Sequence, residues 1–161
     1  MKKTNTIFTE SKQHSSSNAT IHAKAENKPS IIRVLLVEPM EKPRLVEIEH
    51  TLENLQELVG GTIQVVYPWG DPVGLVCDDE GKFKKYVPNR GLVDDEGYMY
   101  DIVFGTFFIC GLGMEDFTSI SDELAERYME RFRWPEMFVR TSDGHAVWMK
   151  LNPEKESKVI V

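Results

Sequence analysis

The run from Ile102 to Cys110 is the longest apolar stretch of the chain, interrupted only by Gly105 and Thr106. It falls far short of the roughly 18 residues that a membrane helix needs. Its β-branched and aromatic content predicts a buried strand through the middle of a sheet. Other segments have the patterning to pair with it. Ile31–Glu38 is rich in β-branched residues and leucine, and Pro39–Pro43 reads as a turn. In Arg44–Glu49, Val46 and Ile48 share one face while Glu47 and Glu49 share the other, which predicts an antiparallel hairpin with the first run. Ile63, Val65 and Tyr67 alternate in a third strand. The turn Pro68-Trp69-Gly70-Asp71-Pro72 leads to a fourth over Val73–Cys77.

A helix falls between the hairpin and the third strand. Thr51 sits at the N-cap position and Glu53 in the first turn, where an acid is favourable. Leu52, Leu55, Leu58 and Val59 form an apolar stripe at helical spacing, and Gly60-Gly61 supplies a left-handed stop. Asp78-Asp79-Glu80-Gly81 and Asp94-Asp95-Glu96-Gly97 each place acids ahead of a glycine able to take positive φ, the chemistry of a tight turn. Between them Lys84–Arg90 reads as irregular. Further on, Ser119 or Ser121 can cap a helix over Asp122–Arg133 with Leu124, Ala125, Tyr128, Met129 and Phe132 inward; Trp134-Pro135 ends it. Met137–Arg140 and Ala146–Leu151 flank Ser142–His145 as a closing hairpin. The expected fold is α+β. It has a mixed or mostly antiparallel sheet of about five strands, one short helix packed on it, and a C-terminal helix and hairpin. The hairpin–helix–strand opening is β-grasp-like.

Composition changes abruptly at Ile31. Residues 1–30 are rich in Ser, Thr, Asn and Lys and cannot bury enough apolar surface to offset ordering, which predicts a disordered tail. Five lysines against two glutamates give that segment +3, so the chain's net −7 leaves −10 on the remainder. A body this acidic repels phosphate backbones, and direct nucleic-acid binding is not expected. No apolar stretch follows Lys2 and Lys3, so no secretory signal is expected. Cys77 and Cys110 lie inside apolar runs, which fits two free thiols in a reducing cytoplasm; a disulfide between them requires neighbouring strands. The division that results is a tail at 1–30, a core domain at 31–117, a helix and hairpin extension at 118–151, and a flexible end at 152–161.

Catalytic patterns find no support in these residues. Gly111-Leu112-Gly113 follows a strand, but position 116 is Asp and no helix opens at once, unlike a dinucleotide-binding turn. The acidic turns lack the alternating ligand spacing of a calcium loop. His14, His22, His50 and His145 form no zinc pattern with either cysteine. No strand-Ser-helix elbow or Cys–His pair is evident. Hence no catalytic residue, metal ligand or cofactor is assigned, and an enzyme is not expected. One group could form a binding surface: Tyr67 and Trp69 beside a turn, with Lys84, Lys85, Asn89 and Arg90 as the concentrated basic and amide residues of the acidic body. An aromatic beside such a cluster suits an anionic ligand or a partner's acidic motif.

Ile32–Val37, Leu52–Gly61, Val87-Pro88-Asn89-Arg90 and Gly105–Gly111 together resemble a domain-of-unknown-function family. Its members are small proteins encoded mainly on conjugative transposons, plasmids and phages of Gram-positive bacteria. The resemblance covers about residues 31–117 and implies a cytoplasmic accessory protein of a mobile element, with no activity to carry over. The leading expectation is a non-catalytic binding protein. Its partner is a host or element protein, or a small anionic ligand such as an immune nucleotide signal. An acidic, antirestriction-like DNA mimic is the alternative, and an enzyme with an unrecognised site the second.

Overall fold

Three apolar strands, with inward residues of both parities, organise the computed structural model, which describes residues 28–155. They are β1 (Ile31–Val37), β4 (Val73–Asp78) and β7 (Phe107–Leu112). With β2 (Arg44–Glu49) and β3 (Ile63–Val66) they form a sheet in the order β2-β1-β7-β4-β3, and β8 (Phe117–Thr118) pairs with β7. Every pairing is antiparallel. The α+β architecture is therefore as expected. The opening hairpin, helix and strand follow in the expected order, but β1 lies between β2 and β7, while β3 lies at the far edge.

Side chains alternate across a strand, so a run apolar at every position must be covered on both faces. Ile32, Val34, Leu36, Val76, Phe108 and Cys110 face the helix α1 (Leu52–Val59), which buries Leu55 and Val59 against them. The helix is capped as its residues dictate: the Thr51 side chain accepts from the Asn54 N–H at 3.2 Å, and Gly60 closes it at φ 85°. Leu35, Val37, Val73, Leu75, Phe107 and Ile109 point the other way, into a second core cluster. That cluster is completed by Leu92 and Val103, and by Ala125, Tyr128 and Phe132 at the helix α2 (Asp122–Arg131), N-capped by Ser121.

The Ile102–Cys110 run is not one strand. It breaks at Gly105, φ 77°, into β6 (Met99–Phe104) and β7. β7 does occupy the middle of the main sheet. β6 turns away to pair with β5 (Pro88–Val93) in a two-stranded sheet. β5 begins within the segment expected to be irregular, and its turn to β6 is the second acidic motif, with Gly97 at φ 88°. β9 (Glu136–Arg140) and β10 (Ala146–Lys150) form the closing hairpin.

The described residues from Ile31 onward form one unit. The boundary expected near residue 117 runs through its core, because α2 covers a face of the main sheet. Arg33 of β1 fastens that connection: its guanidinium donates to the Ile120 carbonyl at 3.0 Å and pairs with Asp122. The tail expected at 1–30 and the end expected at 152–161 lie mostly outside the described residues.

Candidate functional site

The six residues read as a binding surface do not form one. Asn89 and Arg90 are fully buried. The Asn89 amide donates to the carbonyls of Val37 and Gly105 at 2.9 and 2.8 Å, tying β1 to the β6–β7 corner. The Arg90 guanidinium donates to the Phe132 carbonyl, the Glu41 carbonyl and the Asn89 side-chain oxygen at 3.0, 2.7 and 2.8 Å. Phe132 is the C-cap of α2, where the helix dipole is negative and a cation is favoured. Burial pulls Arg90 below its ordinary pKa while the charge of Glu136 pushes it back. These two residues hold the fold together, because their donors are spent on its own carbonyls.

Lys84 is bound to the Asp78 carboxylate at 2.7 Å. Burial pushes Asp78 up, but Lys84 and the Glu80 N–H bring it below the ordinary value overall. Lys85 is exposed, in left-handed conformation at φ 57°. Tyr67 is exposed. Trp69 packs on Tyr128 and Phe132 with ring centroids 4.4 and 5.8 Å away, and the Arg131 guanidinium lies 5.2 Å from its centroid. Trp69 is thus half-buried and packed against the core beside α2.

A different group stands out at the two-stranded sheet. Phe83, Tyr98 and Tyr100 are 86, 69 and 56% exposed. Among the described residues β6 pairs with β5 alone, and an open groove of about 380 Å³ runs along it, lined by Lys82, Met99, Tyr100, Asp101, Ile102 and Phe104. Lys82 Nζ bonds Asp101 at 2.6 Å and so anchors the segment bearing Phe83 to β6. The Asp94 carboxylate accepts from the N–H groups of Glu96 and Tyr98 at 3.0 and 2.8 Å, which fixes the turn that presents the tyrosines. Acids gather nearby: burial raises the Cys77 thiol to about 11, assisted by the charges of Asp78, Asp101 and Asp79. A second open groove, about 390 Å³, runs between the end of α1 and the β6–β7 corner, where the Tyr86 hydroxyl donates to the Gly60 carbonyl at 3.1 Å.

Cys77 and Cys110 lie on neighbouring strands yet are free thiols. Cys110 is opposite Gly74, and Cys77 faces the other core cluster, so the sheet separates them. Among the described residues no group of three or more His, Cys, Asp or Glu is placed to hold a metal ion. No helix among them is long and apolar enough to cross a membrane.

The exposed aromatics had a sequence signal. Tyr98 and Tyr100 alternate just after an acidic turn, and Phe83 stands between lysines with no apolar neighbour. That pattern was readable once position 97 is recognised as the turn glycine. A family model described as a domain of unknown function (DUF3846) matches residues 32–133, a span that includes α2. No match was found among curated proteins or among solved structures.

Proposed function

The chain belongs to the DUF3846 family of domains of unknown function, and from the face presented by β6 we propose that it is a non-catalytic binding protein that docks a partner protein there. The observation that carries this reading is the exposure of Tyr100 in the β6 groove, with exposed Tyr98 two residues before it and exposed Phe83 next to Lys82 of the groove lining. Each buried aromatic side chain contributes about 1.5–3 kcal/mol, so three left in water are a reserve that a partner can use. Exposed aromatic side chains beside an open groove mark interaction surfaces. A cytoplasmic accessory role on a mobile element belongs to the same proposal; it rests on the resemblance and is checked by the genes that flank this one.

A small anionic ligand is the weaker version. Its cluster of Lys84, Lys85, Asn89 and Arg90 is dispersed by burial and ion pairing. A nucleotide that raised the melting temperature would restore it, since a ligand of the native state stabilises that state.

The test places a photo-crosslinking amino acid at position 100 and, as a control, at the exposed position 53 of α1, in cells that express the protein. Adducts of discrete mass from position 100 alone are expected. Their absence, or equal adducts from both positions, would sink the reading.

A further inference from the structure

We propose that the segment docking on the β6 face is a cationic one, rich in arginine or lysine. The proposal rests on the reading of that face as a contact surface and specifies the chemistry of its occupant. Aromatic side chains alone accept many partners; the surrounding charge decides among them.

Asp79, Asp94, Asp95 and Glu96 make no ion pair among the described residues, whereas Lys82 and Lys84 are committed to Asp101 and Asp78. Lys85 is a further cation of this segment, Lys150 lies beside Glu136, whose carboxylate accepts from the Gly91 N–H of β5, and Arg131 approaches β5. Arg131 is held over the Trp69 ring and donates to the Val93 carbonyl at 3.3 Å. Three of the four unpaired carboxylates, Asp94, Asp95 and Glu96, stand in the turn that enters β6, so the charge beside the tyrosines is negative. An acidic peptide or a nucleic acid is repelled by it. A second copy of the chain would bring like charges together on a body of net −10.

A cationic side chain meets both features of the site. Its charge is attracted to a tyrosine face, and its donors bond carboxylates with charge assistance. Arginine does both at once, since a planar guanidinium stacks and forks simultaneously. The turn carrying Asp95 and Glu96 is held by the Asp94 bonds, so little ordering is lost on binding. β6 spans six residues, roughly 20 Å, enough for an extended segment of similar length.

Fluorescence anisotropy with fluorescein-labelled octa-arginine and octa-glutamate, on the full chain at low ionic strength, tests the inference. The chain is expected to bind octa-arginine and not octa-glutamate. Tyr98→Ala with Tyr100→Ala should weaken octa-arginine binding by about tenfold, about 1.4 kcal/mol. Asp95→Asn with Glu96→Gln should weaken it by about fivefold. Glu53→Gln with Glu57→Gln, which removes the same charge from α1, should change it less than about twofold. All the substituted positions are exposed, and unchanged melting temperatures confirm that each variant folds. No binding of octa-arginine, binding of octa-glutamate, or equal losses in the β6 and α1 variants would overturn the inference. Adducts at position 100 without octa-arginine binding would remove the cationic class and leave the contact face standing. No adducts at position 100 would remove both.

Discussion

Arg90 carries the clearest lesson at the scale of single residues. In the sequence it follows Lys84, Lys85 and Asn89 and looks like part of a solvated cluster; in the fold its guanidinium ends α2 and bonds the β1–β2 turn. Nothing local distinguishes the two, because the acceptors lie 42 and 49 positions away. Replacing Arg90 with Ala leaves the Phe132 and Glu41 carbonyls and the Asn89 oxygen without these donors. We expect a loss of about 3 kcal/mol in urea denaturation, whereas Lys85→Ala should cost less than about 0.5 kcal/mol. Glu136 provides a pH counterpart. Burial raises its pKa above the ordinary 4.5, opposed by the Gly91 N–H, the Trp148 indole, Lys150 and Arg90. The folded chain therefore holds this proton at higher pH than the unfolded chain does. The contribution of Glu136 to stability is full below 4.5 and declines as pH rises through the folded value. Denaturation curves over that range should show the decline in the native protein and a flatter profile in Glu136→Gln.

At the scale of elements, legibility depended on how local the signal is. α1 was readable in its bounds, cap and stop, since Thr51, Leu55, Val59 and Gly60 lie within one stretch, although Leu52 of the expected apolar stripe is 60% exposed. Thr51→Ala should cost about 1 kcal/mol, the ordinary worth of such a cap. The Ile102–Cys110 run was misleading because apolar patterning records burial and not pairing: Val103 of β6 and Phe107 and Ile109 of β7 are buried in one cluster, yet the two strands belong to different sheets. What separates them is Gly105. Its φ of 77° is one that other residues rarely adopt, and a Cβ there would come 2.6 Å from Tyr86 Cδ2. Gly105→Ala should therefore destabilise by about 2 kcal/mol or more, measurable by chemical denaturation. An unchanged midpoint would mean that the corner is not set by this residue. The acidic turns split in the same way. Gly97 takes positive φ and closes a hairpin as its neighbours imply. Gly81 does not, and a Cβ at that position would come 2.9 Å from the Phe104 carbonyl, a long-range constraint invisible in Asp78-Asp79-Glu80-Gly81.

For the whole molecule the question is whether the chain beyond residue 117 is an addition. The family match runs to residue 133, and Ile120, Ala125, Tyr128 and Phe132 share a cluster with Leu35, Leu75, Phe107 and Ile109. Removing α2 would take Ala125, Tyr128 and Phe132 from the cluster that covers one face of the main sheet, leaving Leu92 and Val103 as its remaining cover from β5 and β6. It would also leave Arg90 without the Phe132 carbonyl and Asp71 without Arg127 and the Tyr128 hydroxyl, which bond it at 2.7 and 2.8 Å. A chain ending at residue 117 should therefore show no cooperative melting transition. One ending at residue 134 keeps that face covered and loses only the β9–β10 hairpin, whose Glu136 accepts from the Gly91 N–H at 2.8 Å. It should melt cooperatively, with stability lowered by about 2 kcal/mol for the unpaired N–H of Gly91 and the lost packing. Calorimetry on the two truncated chains discriminates between the architectures. Cooperative melting of the shorter one would show that residues 31–117 fold alone and that α2 is an accessory after all.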